Sequence, residues 1–251
     1  MEDLPLVSVI MPCYNMERFI DATIESVLRQ SHPHWELLIV DDASTDGTVG
    51  IVQRHLAKDD RIHLAVKSEH SGIADTRNQA IAMARGPILA FLDADDIWHP
   101  EKLEQQLHFI TKHNVAFCYS AYDCIDEKGN PTGKIVNTVG NLDYDTYLHN
   151  TIIGCSTVML DTEKTGEIVV PNFRTSEDAA TWLDIMKKGF IAYAIDQPLT
   201  SYRLRSKSAS ANKLKASSDL WKVYRKNEHL PVCKAIGCFI SYAYHAIKKR
   251  L

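Results

Sequence analysis

The sequence predicts an α/β fold: a mostly parallel, Rossmann-like sheet with helices on both faces and a short C-terminal helical appendage. Three observations carry this. Over the first 120 residues, short β-rich runs alternate with segments of helical period, the rhythm of parallel strands joined by crossover helices. Polar clusters, two of them aspartate-rich, follow three of those strands, at the strand ends where open α/β sheets bind ligands. Charge divides sharply, with 16 Lys+Arg against 30 Asp+Glu (net −14) in residues 1–199 and 12 against 2 (net +10) in residues 200–251.

Leu6–Met11 reads as a buried strand, and Ile20, Ile24, Val27 and Leu28 mark the apolar stripe of the helix after it. Glu36–Asp41 and Thr48–Leu56 form the second strand and helix, Arg61–Val66 and Ile73–Ala84 the third, and Pro87–Leu92 the fourth strand. Leu103, Leu107 and Ile110 mark the next helix, and Val115–Ser120 the strand beyond it. Lys128–Gly133 is dense in turn residues and predicts a hairpin tip. The alternation then breaks. Leu142–His149 reads helical and Thr157–Leu160 extended. Ala179, Trp182, Leu183 and Met186 share a helix face, Phe190–Ile195 is a strand, and helices at about 216–229 and 233–249 close the chain.

With 45% hydrophobic and 24% charged residues, the 251-residue chain is neither disordered, collagenous nor a multi-span membrane protein. The six cysteines form no C-x-x-C pair and sit mostly in apolar runs, as small buried hydrophobes of a reducing compartment do. The N-terminus lacks the pattern of a secretory signal, and Ala235–Ile247 is too short to cross a bilayer. A cytoplasmic protein, soluble or peripheral on the inner face of the membrane, is expected.

The acidic clusters hold the chemistry. The first strand runs into Pro12-Cys13-Tyr14-Asn15, the second into Asp41-Asp42-Ala43-Ser44-Thr45-Asp46-Gly47, and the fourth into Asp93-Ala94-Asp95-Asp96. Carboxylates crowded at one sheet edge repel one another unless a cation compensates. Asp-x-Asp supplies the hard oxygen donors that Mg²⁺ or Mn²⁺ takes when it also holds diphosphate. Asp46 and Asp96 also suit helix caps or turns. Neither a P-loop nor a G-x-G-x-x-G fingerprint occurs, which leaves the phosphates to a metal.

Val7 to Asn15, Glu25 to Gln30, Val40 to Thr48, Gly72 with Arg77-Asn78, and Ala90 to Asp96 fall in one order. Together with Ile153-Gly154, Glu177-Asp178, Trp182, Tyr202-Arg203 and Ser208 to Lys213, they resemble glycosyltransferase family 2 over residues 5–213. The likeness is greatest to bacterial enzymes that build polysaccharides, capsules and O-antigens. It implies a GT-A fold and an inverting, metal-dependent transfer from a UDP-sugar to a hydroxyl of a lipid-linked saccharide. The alternatives are a polyprenyl-phosphate sugar synthase and a non-catalytic nucleotide-sugar binder. Residues 1–213 would be the catalytic domain, with a nucleotide-sugar half to about residue 120 and an acceptor and base half after it.

The resemblance also implies roles. Pro12, Tyr14, Asn15, Glu17, Asp42, Arg77, Asp93, Ala94, Asp95, Arg203 and Arg205 would form the nucleotide-sugar site. Tyr14 would lie along the base, Asp42 would accept the uracil imide N–H, and Arg77 would sit near base or phosphates. Asp93 would hold the ribose and Asp95 the Mn²⁺ or Mg²⁺ ion. Asp178, at the start of the Ala179–Met186 helix, would be the catalytic base. There a helix dipole lowers a carboxylate's pKa, so the base needs another influence to raise it. Where many relatives have His after Tyr-Arg-x, this chain has Arg205, which cannot ligate metal but can clamp phosphate, alone or with Arg203. Trp98 would either line an acceptor sugar or pack.

In the tail, residues 214–251, Ile236, Phe239, Ile240, Ala243 and Ile247 share a helical face, with Lys234, Lys248 and Lys249 elsewhere. That pattern suits either an anionic membrane surface or packing on the body. Nucleic acid is not expected, because the body is acidic.

Overall fold

The computed structural model describes residues 5–206 and 213–248. The opening half holds β1 (Val7–Cys13), α1 (Ile20–Leu28), β2 (Trp35–Asp41), α2 (Thr48–Leu56), β3 (Ile62–Val66), α3 (Ile73–Ala82) and β4 (Ile88–Phe91). Then come β5 (Ile97–Trp98), α4 (Lys102–His113), β6 (Phe117–Ile125), β7 (Pro131–Val136) and α5 (Tyr144–His149). A 3₁₀ turn at Cys155–Thr157 precedes β8 (Val158–Asp161) and α6 (Thr162–Thr165). The chain continues through α7 (Glu177–Lys187), β9 (Tyr193–Arg203), α8 (Lys213–Lys222), a π-turn at Val223–Asn227 and α9 (Val232–Lys248).

The strands lie in the order β3-β2-β1-β4-β8-β6-β9-β5, with β7 beside the far end of β6. The parallel expectation holds for β1 with β2 and β4, for β2 with β3, and for β6 with β9. It fails at β8, which runs antiparallel to both β4 and β6. That reversal builds the site edge. It places the start of β8 beside the end of β4, and leaves β6 and β9 ending on the same side as β1, β2 and β4.

Pro12 fits its strand because of this layout. Ile10 accepts a bond from Leu92 N on the β4 side, so Pro12, two residues on, faces that side too. β4 pairs only with Val7–Ile10, and the N–H that proline lacks has no ladder to join. The predicted strand at Phe190–Ile195 instead runs to Arg203. Asp196, Gln197 and Pro198 hide it by interrupting the apolar pattern, and the pairing absorbs them by stepping from Ser120↔Ile195 to Ala121↔Pro198.

Alternate strand residues feed two cores. Val7, Val9, Met11, Leu37, Ile39 and Ala90 pack with Ile24, Val27, Leu103, Leu107 and Ile110 on one face. Ile10, Leu38, Leu89 and Phe91 pack with Ala180, Trp182 and Leu183 on the other. Leu220, Val223, Tyr224, Leu230, Ala235 and Cys238 belong to this second core, so α8 and α9 are built onto the body. The single amphipathic face expected of α9 divides. Phe239 packs on the core, whereas Ile236 and Ile240 stay 45% and 64% exposed beside Val232 and Tyr244. The side chains of Ile247 and Lys248, Lys249, and the Ser208–Asn212 part of the family-like string lie outside what the structure describes. Among the described residues no helix is long and apolar enough to cross a membrane.

Candidate active site

The first two strand ends are laced together. Asn15 and Ala43 adopt left-handed backbones (φ 52° and 62°), which turn the chain sharply after β1 and β2. Asn15 N donates to Ser44 Oγ at 2.8 Å, and Thr45 N donates to Asn15 Oδ1 at 2.8 Å. Gly47 N donates to Glu17 Oε2 at 2.7 Å, and Glu17 N to Asp46 Oδ2 at 3.1 Å. Asn15 and Glu17 thus use their side chains to hold the loops, and Asp46 takes the turn role of its two options, accepting from Thr48 N at 3.0 Å while Gly47 stands at the cap of α2. Tyr14 is 40% exposed, its ring centroid 4.3 Å from that of His70.

Asp42 is buried under the loop that leads into α3. Its Oδ1 accepts from Ser71 N at 2.9 Å and its Oδ2 from Gly72 N at 2.8 Å, where Gly72 takes φ 99°, a conformation open to glycine. Burial raises the carboxyl pKa, but these amide bonds, Thr76 and nearby His70 outweigh it and hold it below the ordinary range.

Ser156 organises the end of β4. Its Oγ accepts from Asp93 N at 3.0 Å and donates to Asp96 Oδ2 at 2.6 Å. Its carbonyl accepts from Trp98 Nε1 at 2.9 Å, and Trp98 is buried, so of its two readings the packing one holds. Asp96 is buried as well, accepting from Arg203 N at 2.9 Å. Ala94 fills the core between the two aspartates.

Arg77 is buried in α3 and joins the two acidic groups. It donates from Nη2 to Asp93 Oδ1 and from Nη1 to Glu177 Oε1, both at 2.9 Å. It forms a charge bridge between the strand end and the head of α7. Among the described residues, its Nε, Tyr147 Oη and Trp182 Nε1 are buried donors lacking a partner. Burial lifts the Glu177 carboxyl to about 7 in spite of Arg77. Asp178 follows in the first turn of α7, half-buried, with Ala179 N donating to its Oδ1 at 2.7 Å. Burial raises its pKa more than Arg77 and that amide lower it, and Asp93 adds to the rise. This is the influence that the helix position alone does not provide.

The two arginines after β9 part ways. Arg203 is 4% exposed and donates from Nε to Asp95 O at 2.7 Å and from Nη1 to the carbonyls of Asp126 and Glu127 at 3.2 and 3.3 Å. It pins the acidic loop from behind. Arg205 reaches the front, donating from Nη1 to Asp95 Oδ2 at 2.8 Å, with Met16 Sδ at 3.0 Å. Burial and Asp93 raise the Asp95 pKa, while Arg205 pulls it down.

One sheet edge therefore gathers Tyr14, Asp42, Asp93, Asp95, Asp178 and Arg205, whereas Asn15, Glu17, Ala94, Arg77 and Arg203 build the edge. Sequence reasoning missed Ser156 and the Arg77–Glu177 pair. A lone Ser carries no signal, and residues 77 and 177 meet only through the fold.

Residues 8–161 match the sequence profile of Glycosyl transferase family 2. The chain belongs to this family. It is 50% identical over 247 residues to a Bacillus subtilis protein named as the teichuronic acid biosynthesis glycosyltransferase TuaG, covering 98% of each chain. It is 39% identical to Escherichia coli WfgD, a UDP-Glc:alpha-D-GlcNAc-diphosphoundecaprenol beta-1,3-glucosyltransferase, over 97% of this chain and 94% of that one. Among solved structures, Staphylococcus aureus TarS 1–349 bound to UDP superposes with a TM-score of 0.68 at 19% identity, over 93% of this chain and 69% of that one. The Pyrobaculum calidifontis mannosyltransferase PcManGT with GDP-Man and Mn²⁺ gives 0.68 at 20% identity, over 95% and 70%. These likenesses establish the GT-A fold for this family 2 chain.

Proposed function

We propose that this family 2 glycosyltransferase inverts the anomeric centre as it moves a sugar from a UDP-sugar to a hydroxyl of a lipid-linked saccharide during cell-surface polysaccharide synthesis. The observation that carries the reading is Asp178, a half-buried carboxylate with a raised pKa, tied through Glu177 and Arg77 to the acidic strand end. The name of WfgD supports the donor and acceptor classes, and the TarS complex supports UDP.

Tyr14 offers an exposed ring for the base, and Asp42, held charged by its amides, an acceptor for the uracil imide. Asp93 has 31% of its side chain exposed, open to the ribose hydroxyls. Among the described residues no three His, Cys, Asp or Glu side chains gather into a metal cage, so the fit to a hard divalent cation rests on the single carboxylate of Asp95, 18% exposed, with the remaining oxygens left to the diphosphate and water. Mn²⁺ or Mg²⁺ held by Asp95 would neutralise charge on the departing diphosphate. Asp178 takes the proton of the acceptor hydroxyl as that oxygen attacks from the face opposite the diphosphate, in a single displacement. Asp178→Asn should lower transfer by 10²–10⁴-fold, the usual worth of a general base, with UDP affinity kept. Near-wild-type transfer by this variant would remove the base assignment. A phosphate acceptor used in place of a hydroxyl would point to a polyprenyl-phosphate sugar synthase.

The exposed stripe of α9 supports peripheral contact with an anionic bilayer. Val232, Ile236, Ile240 and Tyr244 recur every four residues, 45–64% exposed, within residues 200–251, whose net charge is +10. Sedimentation with phosphatidylglycerol vesicles should fall several-fold in Ile236→Glu/Ile240→Glu. Loss of a dimer in the same variant, with vesicle binding unchanged, would assign the stripe to a second copy.

A further inference from the structure

We propose that Arg205 is the resident counter-cation of Asp95, competing with the divalent metal, so that metal and nucleotide diphosphate bind well only together. This rests on the donor site described under the proposed function.

The geometry sets up the competition. Arg205 Nη1 lies 2.8 Å from Asp95 Oδ2, the carboxylate assigned to the metal, and both side chains are largely enclosed, 15% and 18% exposed. Arg77 matches Asp93 and Glu177 on the other side of the cluster. A divalent ion arriving alone would face the guanidinium across one carboxylate, with little water between them to screen the repulsion. A nucleotide diphosphate arriving with it brings the negative charge that accepts Arg205, and a guanidinium forks readily onto phosphate oxygens.

The contacts that hold Arg205 are made to side chains. Besides Asp95, it touches the sulfur of Met16, a weak acceptor, and lies 5.0 Å from the Phe19 ring centroid. Arg203, two residues earlier, is fixed by three backbone carbonyls. Ser206, the next residue, is anchored by its N and Oγ to Glu127 Oε1 at 3.0 and 2.9 Å. The chain is thus clamped on both sides of a long side chain that can pivot from Asp95 towards the diphosphate.

The test measures Mn²⁺ binding to the full-length protein from the paramagnetic resonance signal of free Mn²⁺, with and without UDP. In the wild type, UDP should tighten Mn²⁺ binding at least tenfold, and by linkage Mn²⁺ should tighten UDP binding by the same factor. Arg205→Gln should bind Mn²⁺ alone at least tenfold more tightly than wild type, with the UDP enhancement reduced, and should hold UDP without metal more weakly. Arg205→Lys should retain the wild-type pattern in weaker form, and serves if Arg205→Gln melts early. Mn²⁺ affinity that is unchanged or lower in Arg205→Gln, or a wild type that binds Mn²⁺ equally well without UDP, overturns the proposal. Failure of the underlying reading looks different: Asp95→Asn would then keep full Mn²⁺ binding in the presence of UDP, whatever stands at 205.

Discussion

At the scale of single residues, Asp178 shows how position and reactivity are encoded separately. Its place was legible: Glu177-Asp178 precedes an apolar stripe of helical period, so a carboxylate at a helix start follows from the sequence. Its raised pKa was not, since burial in the fold and the charge of Asp93 produce it. The consequence for rate has a definite sign. As the proposed base, Asp178 would work when deprotonated, so kcat/KM should rise with pH through its pKa. Measured from pH 4 to 8, its acid limb should lie above the ~4 of a free aspartate. Arg77 makes a second case. Arg77→Met leaves Asp93 and Glu177 facing each other without their shared cation, and should cost ~3–5 kcal/mol in urea unfolding. Adding Glu177→Gln should restore part of the loss.

Among the elements, α4 carries an unusual burden. The stripe Leu103, Leu107 and Ile110 was legible as its core face, but Lys102 and Gln106 are fully buried too, and nothing in a sequence marks a lysine as interior. Lys102 Nζ donates to Gln106 Oε1 and sits 4.2 Å from the Trp98 ring centroid, and burial lowers its pKa to about 7. In the unfolded chain a lysine titrates near ~10.4. Between these two values the unfolded state binds more protons than the folded one, so this group makes stability rise with pH from about 7 upward. Thermal melts at pH 6 and pH 9 should show Lys102→Met more stable than wild type at the lower pH, with the gap narrowing at the higher. The turn before β4 is equally specific. A Cβ at Gly86 would lie 2.2 Å from Leu6 O, a backbone atom that cannot step aside, so Gly86→Ala should lower the melting temperature by several degrees.

For the molecule as a whole, the predicted alternation of strands and helices located the first half well, because each unit there is local. The second half was less legible. Its strands are interrupted by polar residues, and the antiparallel insertion of β8 depends on partners from distant parts of the chain. The C-terminal helices were expected as an appendage, yet Leu220, Val223, Tyr224, Ala235 and Cys238 lie in the main core. Ending the chain at residue 213 should therefore abolish cooperative unfolding and UDP binding together, as circular dichroism melts and UDP titration would show. Membrane contact is better probed by substitutions on the outer stripe of α9.

The Arg77–Glu177 contact constrains more than stability. Its two ends are 100 residues apart, and one of them lies past residue 161, where the family profile ends. A chimera that joins the first part of this chain to the remainder of a relative would cut between them. Such a hybrid inherits its buried cation from one parent and the matching anion from the other. Exchanging donor halves between relatives should succeed when both parents place a carboxylate at the head of that helix, and fail when one does not.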